Sequence, residues 1–351
     1  MLPPEEEKHL QELLEKGETT EEEVREAKRL LEQARRVGWA LSVSDALVRA
    51  GASLAEAHHH AARLTREDAA AAQIDAADLR LLEKIGRGSQ AIVYKCRQVS
   101  TGRILAVKIL SAESARDPQV RNRFISEGRQ AARLVHPNIV RIYQVAPFKD
   151  SFYIAMEYTD GGSVADLLAV RKRFDPEEAI TIIRAAAEGL SYAHRQGFIH
   201  RDIKPGNILL TKEGVVKIAD MGLARRSADL DAAFDEVGRA YGTPYYISPE
   251  QVRGDPDTDH RTDIYSLGAT FYEMLAGRPP FIAPNSQQVV QIMQMHLYKP
   301  VPDPRNFAPD LPESLCRILA GTLAKRPADR YKTARAFIAA LDRTGLRAPH
   351  E

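Results

Sequence analysis

The chain has 351 residues, 44% apolar and 28% charged, enough to bury a sizeable core in about two or three structural units. Lys plus Arg is 49 against 48 for Asp plus Glu, which excludes a general field for nucleic acid or an anionic membrane. Only Cys96 and Cys316 occur, far apart, which suits a reducing compartment better than a disulfide framework.

The opening MLPPEEEKHL is acidic and lacks the basic start and apolar run of a secretory signal. No stretch approaches the roughly 20 apolar residues of a membrane span, so a cytoplasmic chain is expected. Residues 1–77 are rich in Ala, Glu, Leu and Arg and break at Gly17, Gly38 and Gly51, which predicts an all-α module. Thr19 or Thr20 can cap a helix whose Val24, Ala27, Leu31 and Ala34 recur at helical spacing, with Glu21, Glu22 and Glu23 at its positive end. LLEKG at 13–17 is echoed by LVRAG at 47–51, and Ala27–Leu30 by Ala61–Leu64. That offset fits tandem helical hairpins, too few for a self-supporting solenoid, so the module is expected to dock on the rest of the chain or on a partner protein. His58, His59 and His60 are adjacent and therefore point in different directions on a helix. They predict a solvated face rather than a zinc site, which wants i,i+4 spacing.

From Leu79 the period changes. LLEKIGRGSQAIVYKCRQ, RILAVKIL, NIVRIYQV and SFYIAMEY are β-branched and aromatic runs divided by Gly, Pro, Asn and Asp, which predicts antiparallel strands. After Gly162 helices take over, the clearest opening at Asp175-Pro176-Glu177-Glu178 with Ile180, Ile183, Ala187, Leu190 and His194 on one face. Strands followed by helices predict an α+β chain with two lobes around a crevice.

Several motifs carry chemistry. The glycine loop Ile85-Gly86-Arg87-Gly88-Ser89 lies between strand-like runs and can bring backbone N–H groups to phosphates; a hairpin that needs glycine for its turn is the alternative. Lys108 is a lone cation in an apolar strand and must pair or snorkel, with Glu127 of a following helical stretch as its candidate partner. HRDIKPGN at His200–Asn207 places acid, base and amide within eight residues. Asp220-Met221-Gly222 and Ser248-Pro249-Glu250 follow in order.

In that order and context the motifs resemble the eukaryotic-like serine/threonine protein kinases of bacteria, over about residues 79–345. The resemblance implies a two-lobed protein kinase fold at 78–345, with lobes at 78–158 and 159–345 and a tail at 346–351. It implies transfer of the γ-phosphate of ATP to protein Ser/Thr hydroxyls. Asp202 would accept the hydroxyl proton, Asn207 and Asp220 would hold two Mg²⁺ ions, and Lys108, fixed by Glu127, would hold the α- and β-phosphates. Lys204 would offset charge on the transferring group; Lys-Pro-x-Asn there points to serine/threonine rather than tyrosine specificity. ATP would lie against Ile85, Gly86, Arg87, Gly88, Ser89, Val93, Ala106 and Leu209, with Met156 at the inner edge and Glu157 and Tyr158 as hinge. Thr243 would face the substrate near Asp202, Glu250 would pair with Arg330, and Asp263 would brace the catalytic loop.

The sequence departs from the family pattern at Ala91, where a third glycine is usual, at Met221 for Phe, and at the small Ala131. A nucleotide-binding scaffold acting through protein interactions is therefore the alternative activity. Arg201 is where many family members bind a phosphorylated activation segment, yet between Asp220 and Thr243 only Ser227 and Tyr241 carry hydroxyls. Asp235 or Glu236 is expected to supply Arg201 with a standing negative charge instead. The expected partners are ATP and a protein substrate, with no nucleic acid and no membrane span; a homodimer is left open.

Overall fold

The computed structural model describes Glu7 and residues 10–11, 14–15, 20–36, 78–88, 90–221, 244–283 and 289–346. Contacts divide the chain into two compact units, Met1–Lys84 with Asn285–Gln287, and Ile85–Pro284 with Gln288–Glu351.

In the first unit, every described residue before 37 except Thr20 is helical, and helix α1 spans Glu21–Arg36. Val24, Ala27 and Leu31, three to four residues apart, are buried as the helical period requires, and Leu10 is buried too. Lys28 reaches Glu7 at 3.3 Å. The second copy of the repeat and His58–His60 lie outside the described residues.

The strand region forms one antiparallel sheet of β1 (Leu79–Arg87), β2 (Ala91–Gln98), β3 (Ile104–Leu110), β4 (Ile142–Phe148) and β5 (Ser151–Glu157), in the order β1-β2-β3-β5-β4. Its register sets Val93 opposite Lys108, Lys108 opposite Ile154, and Ala106 opposite Met156. Between β3 and β4 run a short helix α2 (Ala112–Arg116) and the longer α3 (Pro118–Ala131). Asp117 caps α3, accepting from the Gln119 N–H at 2.8 Å with Pro118 in the first turn. The buried stripe of α3 is Phe124, Gly128 and Ala131, at i, i+4 and i+7. Gly128 is there for close approach, because a Cβ would stand 2.8 Å from Ile154 Cδ1 in β5 and 3.0 Å from Val145 Cγ2 in β4.

The helical part opens with α4 (Val164–Arg171), closed by a capping box between Ser163 and Asp166. Helix α5 (Pro176–Arg195) follows, with Asp175 accepting from the Glu177 N–H at 2.9 Å, and its Ile180, Ile183, Ala187 and Leu190 are buried as the spacing predicts. Two short strands, β6 (Ile208–Leu210) and β7 (Val216–Ile218), pair antiparallel, with Ile208 opposite Ile218. Then come α6 (Pro249–Arg253), α7 (Arg261–Ala276), α8 (Val289–Tyr298), α9 (Glu313–Thr322) and α10 (Ala334–Asp342). All of α7 except Arg261 and Glu273 is buried, so it is the axle against which α5, α9 and α10 pack. The main core runs without a break from Ala106 and Ile154 of the sheet to Leu190, Phe271 and Phe337 of the helices.

Candidate active site

The segment His200–Asn207 enters β6, and Asp220 leaves β7, so the β6–β7 ladder sets the distance between the two acidic positions. Asp263 of α7 holds the segment from beneath. Its Oδ2 accepts from the His200 N–H at 2.8 Å and its Oδ1 from the Arg201 N–H at 2.7 Å. His194 Nε2 of α5 lies 2.8 Å from the same Oδ2. Burial pushes the Asp263 carboxyl up, but the hydrogen bond and charge of His194, with His200, hold it below the ordinary carboxylate range. His200 is fully buried; it donates from Nε2 to the Ala219 carbonyl at 2.8 Å and accepts the Asp202 N–H on Nδ1 at 3.2 Å, which fixes its neutral tautomer. Arg201 (φ +66) and Asp220 (φ +56) both sit in the left-handed region, a strain the surrounding bonds impose.

These constraints bring together five polar side chains, Asp202, Lys204, Asn207, Lys108 and Asp220. Lys204 Nζ donates to Asp202 Oδ2 at 2.8 Å and Asn207 Nδ2 donates to the same oxygen at 3.0 Å. Both contacts fall on Oδ2, leaving Oδ1 to accept a proton. With Nδ2 also on the Asp202 carbonyl at 2.7 Å, Asn207 keeps its Oδ1 as an oxygen ligand. Lys108 Nζ sits 2.8 Å from Asp220 Oδ1. Burial pushes the Asp220 carboxyl up, and the charge and hydrogen bond of Lys108 more than reverse this, so Asp220 is held below its ordinary range. Asn207 and Asp220 offer two hard oxygens, which fits a magnesium ion that takes its remaining ligands from phosphates and water. The described residues contain no cluster of three or more His, Cys, Asp or Glu that could hold a metal alone.

Glu127 stands elsewhere than expected. Among the described residues Lys108 pairs with Asp220, and Glu127 lines a pocket with Arg123, Ser126, Gln130, Arg133 and Arg201. The reason is the rotation of α3: with Phe124, Gly128 and Ala131 against the sheet, Glu127 falls beside the buried stripe rather than on it.

Register brings together the residues expected to wall the nucleotide. Ala106 and Met156 face each other across β3 and β5 and both are buried, Val93 and Leu209 are partly buried, and Ile85 is exposed. The glycine loop closes with the Gly88 N–H on the Ala91 carbonyl at 2.8 Å. Gly86 and Gly88 have no positive φ, and an added Cβ would meet only ordinary contacts at 3.6 Å. The turn itself therefore does not demand glycine, which argues for a ligand approaching the backbone at Gly86-Arg87-Gly88. Ser89 lies outside the described residues. Glu157 turns its carboxylate away from the crevice, onto Lys217 Nζ at 2.8 Å and the Arg141 N–H at 3.1 Å, and Tyr158 stacks under Lys95 at 4.7 Å. Sequence reasoning missed Lys217, because nothing in its alternating strand marks it as a hinge partner.

The expected supports are present. Arg330 is buried and forks onto Glu250 at 2.6 and 2.7 Å, with the carbonyls of Ala324, Arg261 and Lys325 as further acceptors. Met221 and Ala131 are both buried. Thr243, Asp235 and Glu236 lie outside the described residues.

A protein kinase domain model matches residues 79–339. The chain is 40% identical over 257 residues to the serine/threonine-protein kinase PknB of Mycolicibacterium smegmatis, covering 72% of this chain and 40% of that protein. It is 38% identical over 272 residues to PknB of Mycobacterium leprae, covering 76% of this chain and 43% of that protein. It thus spans about two fifths of the length of these curated relatives. Among solved structures it resembles the kinase domain of Mycobacterium tuberculosis PknI, with a TM-score of 0.61 and 30% identity over 77% of this chain and 96% of that one. The chain belongs to the protein kinase family, among the bacterial-type serine/threonine kinases.

Proposed function

We propose that the chain transfers the γ-phosphate of ATP to serine or threonine hydroxyls of a protein substrate, in the cytoplasm. The observation that carries this is the Asp202 carboxylate, with Oδ2 fixed by Lys204 and Asn207 and Oδ1 open. A substrate hydroxyl placed at Oδ1 loses its proton there as its oxygen bonds to the γ-phosphorus, while the bond from that phosphorus to the β–γ bridging oxygen breaks and ADP leaves. Lys204, already beside Asp202, offsets negative charge on the group in flight. Asn207 Oδ1 and the Asp220 carboxylate would hold two magnesium ions, which would supply positive charge against the phosphates. Lys108 is within reach of that metal site and is the residue to hold the α- and β-phosphates, Asp220 then turning to the metal and Glu127 taking up the ammonium. The glycine loop and the Ala106, Met156, Val93 and Leu209 walls suit the rest of the nucleotide.

Arg201 supports the acidic-switch reading. Among the described residues its buried Nε has no partner, and it lines the pocket shared with Arg123 and Arg133, where Asp235 or Glu236 would bring a carboxylate. Thr243 is read as the substrate-facing hydroxyl near Asp202. Residues 1–77 are read as an all-α module that docks on the kinase domain or a partner, and a homodimer is left to measurement. No helix among the described residues is long and apolar enough to cross a membrane.

The test is transfer of labelled γ-phosphate to myelin basic protein with magnesium. The parent chain is expected to label serine and threonine, and Asp202→Asn to fall to background. Equal labelling by both, or labelling of tyrosine alone, contradicts the reading.

A further inference from the structure

His296, in the last turn of α8, is fully buried, yet nothing in the transfer chemistry uses it. Its Nδ1 lies 2.8 Å from the Tyr265 hydroxyl of α7. Its ring meets the Phe281 ring edge-on with centroids 4.9 Å apart, and the Tyr265 ring at 5.7 Å. Lys325 caps the same group from the other side. Its Nζ stands 4.5 Å over Phe281 and donates to the carbonyls of Met295 and His296 at 3.1 and 2.8 Å.

Burial, with the Lys325 charge beside it, pushes the imidazole down to about 3, so the ring is neutral and carries one N–H. Tyr265 is held protonated by its own burial, and its hydroxyl proton needs an acceptor. Nδ1 is that acceptor, which puts the imidazole proton on Nε2. Among the described residues the buried Nε2 makes no hydrogen bond of good geometry, although the Pro244 and Tyr245 backbones lie near enough to the ring to act on its charge. Those two residues directly follow Thr243, read above as facing the substrate. The Tyr245 side chain packs on the cluster of Phe281, Ala283 and Ile292 beside the histidine, and Tyr246 donates to the partly buried Glu273 of α7. The segment is thus clamped through its side chains while a buried donor waits under its backbone.

We propose that His296 is a positioning residue for the protein substrate: its Nε2–H is the donor on which the Pro244–Tyr245 backbone settles when a substrate is engaged. The proposal rests on the kinase reading above. Tyr265 sets the tautomer, and Lys325 keeps the ring uncharged, so the support does not switch with pH in the neutral range. Because its partners Tyr265, Phe281 and Lys325 include none of the residues read as nucleotide walls, its effect is confined to the protein substrate.

The test is steady-state kinetics of the full chain with myelin basic protein and ATP varied in turn. His296→Met keeps the volume and removes the donor; it is expected to raise KM for the protein roughly five- to tenfold and to leave KM for ATP within about twofold. His296→Gln returns an N–H close to the Nε2 position and an amide oxygen for Tyr265, and is expected to restore most of the loss. A rise in both KM values together, or a Gln variant no better than Met, overturns the proposal. Should His296→Met not fold, Tyr265→Phe frees Nδ1 without opening the core. It is expected to raise KM for the protein by a smaller factor, and no change contradicts the role. Imidazole ¹⁵N shifts of the parent chain provide a readout independent of turnover. Protonation at Nε2, unchanged between about pH 5 and pH 8, supports the assignment, and an Nδ1–H ring or a titration in that range overturns it. A parent chain that labels no protein at all refutes the kinase reading, and the nitrogen spectrum then still decides the state of His296.

Discussion

Asp263 shows how much of the site rests on one buried carboxylate. It takes two backbone N–H groups and His194, and a neutral amide could not accept all three. Its folded value is depressed, so the stability it contributes is present above the unfolded value of about 3.9 and is lost as pH falls through the lower folded value. Acid unfolding of the parent chain, followed by circular dichroism, is expected to set in below about pH 4, and Asp263→Asn to lose about 3–5 kcal/mol at neutral pH. A neutral-pH melt unchanged by Asp263→Asn contradicts this. Lys108→Met is expected to lower kcat/KM by about 10²- to 10³-fold, since it removes one charge aimed at the phosphates. Near-parental turnover in that variant ends its assignment. At this scale the sequence was informative wherever the residues are contiguous: Asp202, Lys204 and Asn207 meet because six residues of one loop carry them. Lys108 and Asp220 are 112 residues apart, and which acid meets the lysine depends on a helix rotation that no local motif encodes.

That rotation belongs to the elements. Helix α3 is seated by Gly128 against Ile154 and Val145, so the buried stripe, not the charge pattern, decides where Glu127 points. Gly128→Val is expected to push the helix off β5 and to weaken ATP binding; a chain with parental ATP affinity contradicts the seating. Between α7 and α9 the fit is tighter still, because a Cβ at Gly268 would lie 2.4 Å from Thr322 Oγ1 and 2.6 Å from its Cβ. Gly268→Ala is expected to cost about 1–3 kcal/mol in chemical unfolding despite the better helix propensity of alanine. A neutral or stabilising result contradicts the close approach. The helix faces and the strands were legible in advance because each follows a single period, as in Ile180, Ile183, Ala187 and Leu190 of α5. The central place of α7 was not, since a helix apolar all round gives no direction. For the segment after Met221, the acidic-switch reading predicts that phosphatase treatment leaves activity intact. Asp235→Asn with Glu236→Gln should lower initial rates at low salt and much less at high salt. Loss of activity on dephosphorylation, or a double variant equal to the parent at low salt, removes the switch.

Over the whole molecule the catalytic part explains itself, with one core running from sheet to helices and with Arg330–Glu250 locking α6 to the segment before α10. The order of the motifs made that part readable, because glycine loop, strand lysine, His200–Asn207 and Asp220–Gly222 follow one another as in the protein-kinase signature they resemble. The amino-terminal 77 residues were readable only as helices, since an amphipathic face does not name what covers it. If they dock on the kinase domain, residues 78–351 alone should melt lower than the full chain and bind ATP with altered affinity; identical values exclude docking. The central claim is that the Asp202, Asn207 and Asp220 constellation moves phosphate onto serine and threonine. Phosphosite mapping by mass spectrometry after incubation with magnesium and ATP tests it most directly. The account predicts phosphoserine and phosphothreonine in the parent chain or an added protein, and none with Asp202→Asn. Phosphorylation that survives Asp202→Asn, or a parent chain that leaves every hydroxyl unmodified, contradicts it.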